Sequence, residues 1–138
     1  MRAAIVVAAL AITTIGVEIA AAGAAQARGW TLGEDAESRA NPLTPDEKTL
    51  AAGKAIFKSK CERCHGPGGL GDGPDADPDA TEMDLTNPTR ASRNADGVVF
   101  YKVLNGRGRP KMPPFKDELN EQQIWTVVTY VQSLRKKP

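Results

Sequence analysis

The feature that most constrains this chain is the segment Cys61-Glu62-Arg63-Cys64-His65, which has the spacing C-x-x-C-H. Two thiols at this spacing can add to the two vinyl groups of one haem, and the adjacent imidazole then reaches the iron from one side. A chain built in this way must fold around the cofactor, hold it, tune it and present its edge. The motif therefore predicts one covalent haem c, attached at Cys61 and Cys64, with His65 as an axial iron ligand.

The rest of the sequence leaves few other uses for these side chains. Cys61 and Cys64 are the only cysteines, and His65 is the only histidine. A structural zinc site needs about four nitrogen or sulfur ligands, and the chain offers three at most. A disulfide across two residues would close a strained loop. A redox-active dithiol is the main alternative, but it requires alternating strands and helices that the sequence does not contain.

The first 27 residues resemble an export signal. Arg2 precedes an apolar, alanine-rich run over residues 3–17, and the tripeptide Ala-Gln-Ala at residues 25–27 fits the small-x-small cleavage pattern. Glu18 interrupts the apolar stretch, so an uncleaved membrane anchor is the alternative. The uncharged run is nevertheless shorter than the ~20 residues that a spanning helix needs. We therefore predict a signal peptide over residues 1–27, a periplasmic location and no membrane span in the mature form.

The charge balance excludes some partners. Removal of residues 1–27 takes away Arg2 and Glu18, so the formal net charge stays at +1. With this balance, and without a stripe of basic and aromatic residues, nothing indicates nucleic-acid binding. Aromatic residues make up only 5% of the chain. A buried porphyrin would therefore supply much of the apolar surface of the core.

The mature chain is predicted to be one helical domain, residues 44–138, behind an irregular polar lead, residues 28–43. Thr44 and Pro45 are typical of a capping box and a first helical position, and the helix should run into the Cys61 region. Apolar residues recur at helical spacing in two later stretches. No strand pattern competes and no internal repeat is present, so the predicted fold class is all-α.

The two later helices have recognisable ends. One is predicted over residues 95–104 with Asn94 as its cap. The other should begin at Glu121 behind Asn120 and run to about Arg135, with an apolar stripe on one face and basic residues that suit its C-terminal dipole.

A long loop separates the haem motif from these helices. Residues 66–74 contain too many glycines and prolines for a regular element. Acidic side chains then continue through residues 72–84. The calcium-binding EF-hand pattern fails here, because Ala80 replaces the turn glycine and no glutamate closes the loop. We therefore predict a solvated acidic loop without an assigned role.

The second axial ligand must come from another residue type. Once Met1 leaves with the signal, Met83 and Met112 remain, and thioether ligation raises the reduction potential. Two prolines follow Met112 and fix its backbone, whereas Met83 lies in the acidic loop without such a restraint. We predict Met112 as the ligand, with Met83 and Lys111 as the remaining alternatives.

Taken in order, these motifs resemble the class I c-type cytochromes, in particular the small bacterial monohaem cytochromes. The resemblance covers roughly residues 45–135. Its motifs are G-x-x-x-F at residues 53–57, C-x-x-C-H at residues 61–65, G-x-G-D-G-P within residues 68–74, M-P-x-F at residues 112–115 and W-x-x-x-x-Y at residues 125–130.

The resemblance implies a cytochrome c fold of three to four helices around one covalent haem, with long loops. In this family the first and last helices cross, so Gly53 and Phe57 would pack against Val127 and Tyr130. Tyr130 and Trp125 would be core residues, and either is a candidate to hydrogen-bond a haem propionate.

The predicted function is a periplasmic one-electron carrier with His65 and Met112 as axial ligands, and not an enzyme. Its expected partners are redox proteins such as a periplasmic dehydrogenase or a terminal oxidase, and a monomer is expected. A basic rim could steer an acidic partner; its candidates are Arg90, Arg93, Lys102, Arg107, Arg109, Lys111 and Lys116. The alternatives are a five-coordinate haem protein with peroxidase or gas-sensing activity and a fixed electron-transfer subunit of a dehydrogenase or oxidase complex.

Overall fold

A computed structural model describes residues 29–109 and 111–135, and the chain forms α-helices joined by long loops. The helices are α1 (Glu47–Lys60), α2 (Glu62–His65), α3 (Pro88–Ala91), α4 (Asp96–Asn105) and α5 (Glu121–Ser133), with a 3-10 turn at Thr81–Met83. Over these two ranges the only β pairing outside a strand is an isolated antiparallel bridge between Arg107 and Met112. The all-α prediction is confirmed: α1, α4 and α5 are the three expected helices, and α2 and α3 are additional short ones.

The predicted signal peptide, residues 1–27, lies outside the described residues. Within the part of the chain that the structure describes, none of the helices has the length and apolar character required to cross a bilayer.

Helix α1 begins at Glu47 because Asp46 caps it. The Asp46 carboxylate accepts a hydrogen bond from the Thr49 backbone N–H at 2.7 Å, and this bond lowers the pKa of the carboxyl. The predicted capping box at Thr44 is therefore wrong. A carboxylate and a threonine hydroxyl can each accept from the free amides of the first turn. Only the charged carboxylate also complements the positive end of the helix dipole.

Helix α4 begins one residue later than predicted, behind Ala95. The prediction of Asn94 as its cap is wrong, because that side chain has other partners. Its Nδ2 donates to the Arg90 carbonyl at 2.6 Å, and its Oδ1 accepts from the Lys102 ammonium. Asn94 therefore joins α3 to the middle of α4 instead of closing the first turn.

Helices α1 and α5 cross at Gly53, as the resemblance implied. A Cβ added to Gly53 would lie 2.5 Å from the Thr126 carbonyl oxygen and 2.7 Å from the Tyr130 Cβ. One turn later, the Phe57 ring lies 5.3 Å from the Tyr130 ring. Phe57 and Val127 are both 1% exposed and belong to the same core cluster. The predicted packing of the first helix on the last is confirmed.

Replacing Gly53 with alanine should lower the free energy of unfolding by about 1–3 kcal/mol, because the methyl group forces the two helices apart. The better helix propensity of alanine opposes this by about 1 kcal/mol. Guanidinium unfolding of the haem-loaded protein measures the difference. The exposed neighbour Lys54 provides the control, since Lys54→Ala should stay within about 0.5 kcal/mol of wild type. A Gly53→Ala protein as stable as wild type would contradict the close crossing.

The described part of the lead, residues 29–43, contains turns but no helix or strand, and it packs against the helices. The Arg39 guanidinium lies 4.3 Å from the centre of the Phe100 ring and donates to the Glu121 carboxylate at 2.5 Å. A cation over an aromatic face and a charged hydrogen bond together fix this segment. The lead thereby carries Trp30 to the interior cavities.

Candidate functional site

Two adjoining cavities lie between the helix crossing and the loops, with volumes of about 130 Å³ and 380 Å³. We call the smaller one the inner cavity and the larger one the outer cavity. Both are lined by Trp30, Cys61, His65, Glu82 and Met112. The inner cavity is otherwise walled mainly by core residues, among them Phe57, Leu85, Val99, Val103, Val127 and Val131. Apolar walls with a few convergent polar groups are typical of cofactor sites.

The junction of α1 and α2 brings the two thiols to one site. The Cys61 N–H donates to the Phe57 carbonyl at 2.8 Å, and the His65 N–H donates to the Cys61 carbonyl at 2.9 Å. This single turn places Cys61 and Cys64 on the wall of the outer cavity. Both thiols are free.

The electrostatics of Cys61 oppose a role as a reactive dithiol. Burial, with a smaller contribution from Cys64, raises the pKa of the Cys61 thiol to about 12. Redox-active cysteines need the opposite shift, since the thiolate is the reacting form. A neutral, buried sulfur instead fits the uncharged thioether that haem attachment produces.

The imidazole of His65 is oriented by a backbone carbonyl. Its Nδ1 lies 2.8 Å from the Met83 oxygen. Since a carbonyl only accepts, Nδ1 carries the proton in this bond, and the lone pair of Nε2 is left for a metal. Burial lowers the pKa of His65, while the bond to Met83 acts in the opposite direction. The neutral, ligating form of the ring is therefore favoured.

Met83 is more restrained than its surrounding sequence indicated. It lies in the 3-10 turn, is 9% exposed, and its Sδ accepts from the Asp77 N–H at 3.3 Å. The prediction that it lies in an unrestrained segment is wrong, because the loop folds back onto His65. Met83 lines the outer cavity only, as does the exposed Lys111.

Met112 lines both cavities, and its backbone is held from several sides. Its N–H donates to the Arg107 carbonyl at 3.0 Å, and its carbonyl accepts from the Arg107 N–H at 2.8 Å. Gly106 has φ of +59°, and a Cβ there would collide with the Met112 oxygen. The Phe115 N–H then donates to the Val103 carbonyl at 3.1 Å. The loop that carries Met112 is thus restrained by the backbone bridge, by the close approach at the glycine and by the hydrogen bond at its end, in addition to the two prolines that follow Met112.

Trp125 is a core residue, as expected, and Tyr130 is half-buried and packs against the core. The Trp125 ring is 3% exposed and stacks on Phe100 with 4.3 Å between the ring centres, while Tyr130 packs on Phe57. Neither residue lines the two cavities. Their suggested contact with a haem propionate therefore finds no support.

The basic rim is wrong for two of its seven residues. Lys102 lines the inner cavity, and the Arg107 side chain is only 6% exposed and donates to Glu82 at 3.1 Å. Arg90 is half-buried: it lines the inner cavity and also donates to the Thr81 hydroxyl in an exposed contact at 2.7 Å. The side chains that remain exposed are those of Arg93, Arg109, Lys111 and Lys116. The pattern of charges along the sequence does not indicate which basic side chains face the cavity and which face the solvent.

The donor set fits the predicted haem. The sulfurs of Cys61 and Cys64, a neutral imidazole with one free nitrogen and a thioether all border the outer cavity. In the described residues no group of three or more histidine, cysteine, aspartate or glutamate side chains could hold a metal ion instead. Soft nitrogen and sulfur donors in an apolar cavity are suited to haem iron.

Known proteins are similar to this chain in sequence. The family described as cytochrome c oxidase, cbb3-type, subunit III matches residues 48–131. The cbb3-type cytochrome c oxidase subunit FixP of Sinorhizobium medicae is 34% identical over 131 residues, which are 90% of this chain and 44% of FixP. Cytochrome c6 of Chlorolobion braunii is 36% identical over 87 residues, covering 62% of this chain and 90% of that protein.

A solved structure shows the same fold. Cytochrome cL of Methylophaga aminisulfidivorans matches with a TM-score of 0.51 and 25% identity, over 65% of this chain and 55% of that chain. The chain thus spans less than half the length of FixP and about half the length of cytochrome cL.

Proposed function

Because the chain belongs to the c-type cytochromes, in the family of cbb3-type cytochrome c oxidase subunit III, we propose that it is a periplasmic one-electron carrier. Its cofactor is covalently bound haem c, which supplies a reversible ferric/ferrous couple. Electron transfer is the function that this family membership supports. The periplasmic location follows from the predicted signal peptide and stays a prediction.

The observation that carries the proposal is that His65 and Met112 border the same two cavities. Cys61 and Cys64 would attach the haem, and the Met83 carbonyl would hold the imidazole in its ligating tautomer. The clamped loop would hold the Met112 thioether as the second axial ligand. With both of these ligands in place, no site for substrate or dioxygen would be left open at the iron. This arrangement supports a carrier over an enzyme.

The exposed edge of the haem should lie at the outer cavity. Cys64 lines the outer cavity and not the inner one, and the exposed side chains of Arg63 and Lys111 lie on the same wall. Arg63 is already paired with Asp75 at 2.8 Å. A redox partner would dock at this mouth, and with few unpaired charges there the encounter should depend only weakly on salt.

A second candidate is a fixed electron-transfer subunit of an oxidase or dehydrogenase complex. The similarity to FixP, a subunit of a cbb3-type oxidase, favours it. The haem domain would work in the same way in either case. Purification from native membranes at low salt separates the two, since a fixed subunit elutes with its complex and a diffusing carrier elutes alone.

The function is tested by potentiometric titration of the purified haem-loaded protein. We expect one reversible one-electron transition, no carbon monoxide binding by the reduced form and no turnover of hydrogen peroxide. Rapid carbon monoxide binding together with peroxide turnover would favour the five-coordinate alternative and would overturn the carrier.

A further inference from the structure

The inner cavity is apolar except at one end, where charged side chains from separate elements meet. Arg90 lies in α3, Lys102 in α4 and Arg135 after the end of α5. Two carboxylates, those of Glu82 and Asp84, line the same cavity. Lys102 and Arg135 are half-buried, and Arg90 lies close enough to Lys102 to act on its charge. Cations this close together favour an anion between them, because their mutual repulsion is less screened away from water.

Arg135 has an unused donor that points to a ligand. One of its terminal nitrogens, Nη1, donates to the Ala91 carbonyl at 3.0 Å. Its Nε is buried and has no hydrogen-bond partner among the described residues. Burial lowers the pKa of Arg135, and Asp96 partly opposes this. Buried donors are normally satisfied, so an unsatisfied guanidinium nitrogen on a cofactor cavity calls for an acceptor from the cofactor.

Lys102 is a second cation whose charged form is disfavoured by burial at this cavity. Its ammonium contacts the Asn94 side chain and lies 5.0 Å from the centre of the Trp30 ring. Burial is the main cause that lowers its pKa to about 8, and the charges of Arg107, Arg135 and Arg90 add to it, while Glu37 acts against it. An anion beside Lys102 would reverse this shift and keep the side chain charged.

The charges around the cavity do not balance without such an anion. Glu82 is already paired with Arg107. Asp84 accepts from the Thr86 N–H at 2.9 Å and the Thr86 hydroxyl at 2.7 Å. Among the residues that line the cavity, the three cations therefore face one further carboxylate, which leaves a surplus of two positive charges on the lining, while Asp96 and Glu37 act on Arg135 and Lys102 from outside it. A haem carries two propionates.

We propose that Arg135 and Lys102, with Arg90 beside them, form the anion-binding end of the cofactor site and hold the haem propionates in the inner cavity. This rests on the proposed function, since it requires haem attached at Cys61 and Cys64. The propionate edge is then enclosed, and the thioether edge at the outer cavity is the one left for electron exchange. These cations also hold the reduction potential up, because removing positive charge near the iron favours the ferric state.

The test compares the potentials of Arg135→Gln and Arg93→Gln in the haem-loaded protein. Arg93 is exposed beyond the end of α3 and serves as the matched control. We expect Arg135→Gln to lower the equilibrium constant for reduction at least tenfold, which is about 59 mV for one electron. Arg93→Gln should leave it unchanged, and Arg135→Lys should restore most of it. An unchanged potential in a folded Arg135→Gln protein would overturn the proposal.

A second variant tests Lys102 through pH. In wild type the potential should fall as the pH rises through the titration of Lys102, at or above pH 8, because loss of the cation favours the ferric form. In Lys102→Met the potential should be lower at pH 7, and this fall should be absent. An identical pH profile in the two proteins would contradict the assignment. Arg90, Arg107, Arg135 and Glu37 face this side chain, and all four remain in the variant.

Free anions from solution are the other source of negative charge. Inorganic phosphate at constant ionic strength should leave the wild-type potential unchanged if the propionates fill the site. A phosphate-dependent shift that disappears in Arg135→Gln would show a solution-anion site and overturn the proposal. If the carrier function itself is wrong, the reduced wild-type protein should bind carbon monoxide. That result is independent of the potentials of the Arg135 variants, so failure of the function and failure of the propionate assignment are distinguishable.

Discussion

Replacing Met112 with alanine is expected to open one axial position of the iron. Thioether ligation raises the reduction potential, so its loss should lower the equilibrium constant for reduction tenfold or more, about 59 mV or more for one electron. The reduced variant should also bind carbon monoxide. The bridge to Arg107 uses only the Met112 backbone, so the loop should keep its place. Potentiometric titration and the optical spectrum with carbon monoxide measure both effects.

Met83→Leu is the matched control, because Met83 is the other methionine on the cavity walls. A leucine of similar volume should cost less than about 1.5 kcal/mol of stability. It should leave the potential and the spectrum unchanged, since the bond to His65 comes from the backbone carbonyl. If Met83→Leu opens the iron and Met112→Ala does not, the ligand assignment is reversed.

Replacing Phe57 with alanine should cause the largest loss of stability, about 3–5 kcal/mol. Phe57 is 1% exposed, contacts Tyr130 across the helix crossing and forms part of the inner cavity wall. Its removal therefore weakens the α1–α5 contact and the wall of the cofactor site at once. Since small domains are stable by only about 5–15 kcal/mol, this is a large fraction of the total. Guanidinium unfolding of the haem-loaded protein measures it.

Phe57→Leu is the control for lost volume. It keeps most of the apolar contact and should cost clearly less than the alanine variant. An alanine variant within about 1 kcal/mol of wild type would mean that other side chains, or the haem itself, carry the crossing.

Local patterns predicted much of this molecule because they act over a few residues. The C-x-x-C-H spacing requires one tight turn, and that turn appears as α2 with Cys61 and Cys64 on one wall. The glycine and aromatic pair of the first helix has meaning only at a close crossing, and Gly53 lies at one. Such features follow from periodicity and side-chain size.

Other features depend on contacts that no local pattern contains. The Met83 carbonyl orients His65, and a carbonyl leaves no mark in the sequence because every residue has one. Lys102 and Arg135 turn inward because their helices meet at the cavity, although lysine and arginine are mostly exposed. The cap of α1 was misplaced because Thr44 and Asp46 both suit that role, and only the fold decides between them.

The central claim is that His65 and Met112 occupy the two axial positions of the haem iron. The oxidised wild-type protein tests it most directly, through the far-red charge-transfer band that marks methionine–ferric ligation. We predict that this band is present in wild type and in Met83→Leu and absent in Met112→Ala. A wild-type spectrum without the band, together with carbon monoxide binding by the reduced protein, would contradict the account.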